Sequence, residues 1–276
     1  MDMKLLFFTI ILILSISGTS AQTFSGKVVD NSNKPLAYVN IGIIGKNIGT
    51  VSGEKGAFNL TIPDSLQNGK VRFSMIGLTT LEFSIEEFKK KCAGNGIFMM
   101  QEETFALKEI VIVPKTYITK IVGNKTTSKT ISAGFRNNLL GHELGVLMKI
   151  KKRPAKINSV SFYFNQCIYD TIFYRLNVYE MAGKEPGRNI MPAPYYLNYT
   201  KDQLGELLTI DLAALQLWVE DDFLVTLEIV KDLGEGGIMF SAGLFNSPTY
   251  FRVTSQGTWE SIPVGIGISA EISQEK

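Results

Sequence analysis

Apolar and polar positions alternate in short runs along most of the chain. Within Phe58-Asn59-Leu60-Thr61-Ile62 the apolar side chains fall on every second residue, so this run predicts a strand with one face in a core. Runs of the same kind, rich in Val, Ile, Phe and Thr, recur between residues 23 and 113. Gly, Asn, Pro or Asp breaks them every eight to twelve residues. They predict strands over 23–29, 38–44, 49–52, 57–62, 70–75, 79–85, 96–101 and 107–113, with helical character only at 86–91. Pro114 stops the last of them, and from Lys115 to Asn138 the apolar residues lose their period. Strand-like runs resume at 142–150, 157–164, 171–179, 207–212, 215–219, 223–230, 237–242, 250–254 and 264–272. The clearest is 171–179, which puts Ile172, Tyr174, Leu176 and Val178 on one face and Thr171, Phe173, Arg175, Asn177 and Tyr179 on the other. Only 202–208 reads as a further short helix, and neither half repeats the other.

This pattern predicts an all-β protein of two β-sandwich domains, the second of jelly-roll type. The expected organisation is a signal segment at 1–21, a first sandwich at 22–114, a linker or edge segment at 115–138 and a second sandwich at 139–276. At the N-terminus, Lys4 precedes an apolar run from Leu5 to Ile16, and Ser17 to Ala21 are small residues. Thr19 and Ala21 stand at the −3 and −1 positions of an expected cleavage site, which would leave Gln22 first. The apolar run is too short to span a bilayer, and no cysteine follows it to carry a lipid.

Turn chemistry in the first sandwich sharpens the picture. Gly26-Lys27-Val28-Val29-Asp30 leads to Lys34-Pro35-Leu36-Ala37-Tyr38-Val39-Asn40-Ile41. Gly49-Thr50-Val51-Ser52 with Gly56-Ala57-Phe58 follows, and then Phe73-Ser74-Met75-Ile76-Gly77. Asp30 to Pro35 fits a turn, Gly56 a position of positive φ, and Gly77 a change of chain direction. In order and spacing this stretch, Thr23 to Val113, resembles the carboxypeptidase-regulatory-like domain, a transthyretin-like β-sandwich. The family often carries an acidic residue in the hairpin where Ser52 and Gly53 stand, and an aromatic where Leu78 follows Gly77. The resemblance implies a folding and interaction module without a catalytic site, similar to the N-terminal extension of TonB-dependent outer-membrane receptors of Gram-negative bacteria. Leu107 to Val113 looks like the strand that leads into a receptor plug, but the remaining chain is too short for a receptor barrel.

Charge is uneven. Formal net charge is +2, yet Lys115 to Lys156 holds ten basic residues against one acid, Glu143, so the rest sums to −7. Such a stretch fits either a solvated segment that lysines keep from edge pairing or peripheral contact with an acidic glycan or lipid head group. Cys92 and Cys167 are the only cysteines and fall in different expected domains, which favours two separate thiols.

Catalytic chemistry has few candidates. His142 is the only histidine, so a multi-histidine metal site is excluded and a Ser-His-Asp triad would depend on it alone. No nucleophile elbow or phosphate loop is present. Glu180, Glu185, Asp211, Asp221, Asp222, Glu228 and Glu260 supply carboxylates for a glycosidase without a spacing that singles out a pair. Glu220-Asp221-Asp222 reads as a solvated turn, and Trp218 and Trp259 as core residues. The candidate ligand site is Tyr195, Tyr196 and Tyr199, in a loop that follows Pro186, Pro192 and Pro194, where flat rings with polar tips suit sugar stacking or a protein interface. The sequence thus predicts a non-enzymatic exported envelope protein, periplasmic, outer-membrane associated or secreted. Its expected partner is an envelope protein or glycan, with no nucleic acid, cofactor or metal. A jelly-roll glycan hydrolase and a purely structural or adhesive component stay open beside it.

Overall fold

The structure, a computed structural model, describes residues 20–103 and 116–276. Most of the expected signal segment, the strand expected over 107–113, Pro114 and Lys115 lie outside the described residues. The architecture is all-β, as the alternation predicts, with two bodies each built on its own core.

The first body consists of β1 (Ala21–Val29), β2 (Asn40–Ile43), β3 (Gly49–Val51), β4 (Ala57–Pro63), β5 (Lys70–Ser74), β6 (Leu81–Ser84), α1 (Ile85–Ala93) and β7 (Ile97–Met99). A three-stranded sheet, β4-β1-β7, and a four-stranded one, β3-β2-β5-β6, enclose a core rich in phenylalanine. Phe73 stacks on Phe98 at 4.5 Å, and Phe58 meets both edge-on. The Asp30 carboxylate accepts from the amides of Ser32 and Lys34, which fixes the expected turn. Gly56 and Gly77 adopt positive φ, +75° and +83°. Ser84 caps α1 in a reciprocal box with Glu87.

The second body runs through β8 (Tyr117–Gly123), β9 (Ser132–Phe135), β10 (Glu143–Met148), β11 (Ala155–Cys167), β12 (Thr171–Ala182), β13 (Glu185–Asn189) and β14 (Tyr195–Thr200). It continues with α2 (Lys201–Leu204), β15 (Leu207–Asp211), β16 (Trp218–Val219), β17 (Phe223–Ile229), β18 (Ile238–Arg252), β19 (Glu260–Ile266) and β20 (Ile268–Glu275). The strands connect in the order β13-β12-β17-β10-β18-β11-β20-β8, with β14, β15, β16, β19 and β9 pairing off this path. The long β18 joins two layers: its first half pairs with β11 and β9, its second half with β10, and β19 follows it across an irregularity between Leu244 and Thr249. The segment expected as a linker or edge segment, 115–138, contributes β8, an edge strand on β20, and β9.

The β12-β17-β10-β18 layer is covered on both sides. One face, with Tyr174, Leu176, Val225, Leu227, Leu144 and Val146, enters the main core. The opposite face carries Arg175, Asn177, Thr226, Glu228, Glu143 and Arg252, all buried. That polar face lies against the first body, at the edge where β2 and β3 meet it.

Candidate functional site: a charge ladder beneath an interdomain cleft

Register places four charges in one row across four strands. Arg175 on β12 is the direct partner of Glu228 on β17, Glu228 of Glu143 on β10, and Glu143 of Arg252 on β18. Directly opposed residues project from the same face, so the row reads plus, minus, minus, plus. Arg175 donates from Nε and Nη2 to Glu228 Oε2 at 3.1 and 2.8 Å. Arg252 donates from Nε to Glu143 Oε2 at 2.8 Å. Asn177, one turn of the pleat away, bridges the two carboxylates with Nδ2 at 2.7 Å from Glu143 and 2.9 Å from Glu228. The Thr226 hydroxyl also donates to Glu143, and Asn189 Nδ2 orients Asn177 by donating to Asn177 Oδ1 at 2.9 Å.

Neither glutamate side chain has any exposed surface. Burial raises the proton affinity of Glu143, and the neighbouring Glu228 charge adds to that against the pull of Arg252. At Glu228 burial acts the same way, but Arg175 and Arg252 together outweigh it and hold the carboxyl below its ordinary range. Two guanidinium groups thus balance two carboxylates within one sealed layer.

The first body closes this layer. Arg175 Nη1 donates to the Tyr38 carbonyl at 2.8 Å, and Nη2 to Asn40 Oδ1 at 2.6 Å. Tyr38, at φ +63°, packs its ring against the stacked pair Phe173 and Tyr196, with centroids at 5.1 and 5.3 Å. Its hydroxyl is pushed up to about 12 by burial and by Glu54, which in turn pairs with Lys231 at 2.6 Å. Further along the junction, Gln256 donates to the Ser74 hydroxyl at 2.7 Å and Gly45 N to the Gln256 carbonyl at 2.9 Å. Gly42 and Gly49 permit this approach, since a Cβ at either would sit 2.3 Å from the Ser255 carbonyl oxygen.

Beside the ladder the two bodies leave a cleft of about 960 Å³, and Asn177, Arg188, Asn189, Arg252, Gln256 and Trp259 are among its walls. Trp259 is half-buried at its edge, packed against the Arg252 guanidinium at 5.0 Å and the Tyr179 ring at 5.8 Å. The sequence reading put Trp259 in the core, but the turn after β18 carries it to the cleft instead.

The tyrosine cluster is not a loop platform. Tyr195, Tyr196 and Tyr199 lie on β14, which pairs with β12, so alternate residues face opposite sides. Tyr195 and Tyr199 pack against the main core, whereas Tyr196 joins Tyr38 and Phe173 at the junction. The strand brings no two of them onto a shared ligand face except the core-packed pair. His142 sits edge-on to Phe135 at 5.0 Å with Nδ1 unpartnered, and burial pushes it down to about 4. Asp221 pairs with Arg153, and Asp222 accepts from Ile150 N, so this turn anchors the start of β17. Cys92 and Cys167 are unbridged.

The ladder escaped the sequence reading, although its parts carried a signal. Glu228 interrupts the apolar run 223–230 at its interior, and Arg175 stands mid-strand in 171–179. A charge at the centre of a strand buried on both faces needs a partner on the next strand. What the sequence lacks is the register that supplies it.

Fold and junction define an all-β protein of two bodies, and the N-terminal body is similar to a carboxypeptidase-regulatory-like domain. Residues 24–112 match the family described as the CarboxypepD_reg-like domain, about a third of the chain. No curated protein matches the sequence. Among solved structures, two crystal structures of BcpA, the major pilin subunit of Bacillus cereus, one of them a variant, are similar at 10% identity, covering 90% of this chain and 69% of that one. Their TM-score is 0.19.

Proposed function

We propose that the protein is an exported, non-enzymatic component of the cell envelope. In this reading the first body is an interaction module fixed on the second, and the cleft between them binds a glycan. The observation that carries the reading is the cleft itself. Amide and guanidinium groups of Asn177, Asn189, Arg188 and Gln256 line it beside the Trp259 ring, the combination of planar stacking surface and fixed polar groups that suits sugars. The nearby carboxylate pair, Glu143 and Glu228, supports a non-catalytic role, because both are sealed and held by arginines rather than presented to the cleft. The resemblance of the first body to receptor extensions supports the envelope as the compartment.

The test is titration of tryptophan fluorescence with oligosaccharides from envelope polysaccharides, in a Trp218→Phe background so that Trp259 reports alone. Saturable quenching, weakened at least tenfold by Arg188→Ala, is the expected result. Release of reducing ends that disappears in Glu143→Gln and Glu228→Gln would establish a hydrolase instead.

A further inference from the structure

A second cavity, of about 330 Å³, lies in the second body away from the cleft, among Lys120, Ile121, Lys149, Lys151, Ser247 and Gln274. Its lysines converge for a topological reason. Lys120 is on β8 opposite Ile272 of β20, and Gln274 is opposite Ile118 on the same pair, so both project from one face. Lys149 and Lys151 leave the end of β10, and that end abuts β8, since a Cβ on Gly123 would lie 2.5 Å from Met148 Sδ.

The cavity side chains bring three ammonium groups, the Gln274 amide and the Ser247 hydroxyl together. Among the described residues, none of the three ammonium groups is in an ion pair. Lys129 and Arg153 of the same basic stretch, by contrast, are paired with Glu206 and Asp221. Gln274 is 1% exposed, and its Nε2 has no acceptor within the protein. A buried amide donor left without an acceptor is costly and calls for one. Glu143, the single acid of the stretch, is consumed in the ladder. A cavity of ammonium, amide and hydroxyl donors is matched by an oxyanion.

A second feature adjoins it. Ser247 forms part of the cavity wall and closes the tight turn in β18 that begins at Leu244. Asn124 clamps that turn by accepting from Ser247 N at 3.0 Å and donating to its carbonyl at 2.9 Å. At the tip Phe245 is 99% exposed, with φ +63°, and Leu244 is 55% exposed. Holding a wholly exposed phenylalanine in the left-handed region stores strain with no packing return inside the protein. The exposed Lys125 follows Asn124.

We propose that this face docks on an anionic bilayer. The cavity takes the phosphate of a lipid head group, and Leu244 and Phe245 enter the boundary between head groups and acyl chains. Charge complementarity selects the anionic lipid, and the exposed apolar tip beside the donors distinguishes a membrane from a soluble phosphate. The inference goes beyond the glycan cleft and does not depend on it.

Flotation of the purified protein with vesicles tests it, comparing phosphatidylglycerol mixed into phosphatidylcholine with phosphatidylcholine alone. Binding to the anionic vesicles only, weakened by salt, is expected. Replacing Lys120, Lys149 and Lys151 together by Gln lowers partitioning by about fivefold per lysine, roughly a hundredfold in all. Phe245→Ser weakens it about tenfold with the same thermal melt, and arginines at the three lysine positions restore it. Equal flotation of the triple-Gln variant, or equal binding to neutral vesicles, would overturn the proposal. So would chemical-shift changes at the cavity with inorganic phosphate but no flotation on anionic vesicles, which would make it a site for a free anion.

Discussion

Arg175 ties the two bodies together: three of its nitrogens reach Glu228, Asn40 and the Tyr38 carbonyl. Its removal strands Glu228, whose Oε1 already lacks a hydrogen bond and has only Arg252 Nη2 at 3.6 Å. Arg175→Met is therefore expected to cost about 3–5 kcal/mol in urea unfolding, the usual penalty for an orphaned buried charge. Arg175→Met combined with Glu228→Met should recover most of that loss, since two apolar chains of similar volume leave nothing unpaired; a double variant no better than the single one would refute this account. His142 makes a separate prediction about pH. Its folded value of about 4 lies below the ordinary 6.5, so between these values the unfolded chain takes a proton that the folded chain refuses. Stability is thus lost as pH falls from 6.5 to 4, by at most about 3 kcal/mol. Glu143, with its raised proton affinity, acts in the opposite sense, so the informative quantity is the difference between wild type and His142→Phe. The variant should show the flatter acid limb in thermal melts, and parallel curves would count against it.

At the level of strands, legibility followed the hydrophobic period. The alternation of 171–179 put Arg175, Asn177 and Tyr179 on a face apart from Tyr174 and Leu176, and β12 has that division. β14 was hidden because Pro192 and Pro194 read as loop, whereas the chain after them pairs with β12 through register alone. β8 was legible only as an edge: its lysine and threonine discourage pairing with other chains, but they conceal its own pairing with β20. The docking of β2 and β3 could not be read either, since Gly42 and Gly49 look like ordinary turn glycines until Ser255 is placed against them. Gly49→Ala should force that junction apart at a cost of about 1–3 kcal/mol. Limited proteolysis of the folded chain would then become faster, and unchanged proteolysis together with an unchanged melt would show that the contact is not tight.

For the molecule as a whole, the two-body organisation and the family of the first body were legible in turn residues spaced along the chain. The junction was not, because it depends on one row of residues drawn from positions 143, 175, 228 and 252, aligned by pairings that no local pattern encodes. Such a shared, sealed layer ties the stability of one body to the other. Calorimetry should show a single unfolding transition for the native chain and two for the Arg175→Met, Gly49→Ala variant; two transitions in the native chain would mean that the bodies unfold independently. The Tyr38 and Asn40 contacts to Arg175 also impose an order in time. Whether at the ribosome or on export, a chain emerges N-terminus first, so the first body can fold before the rungs of the ladder emerge. The later strands then assemble against a template that already presents a carbonyl and an amide for the first arginine, and a second body deprived of that template is left to expose its most highly charged face while it folds.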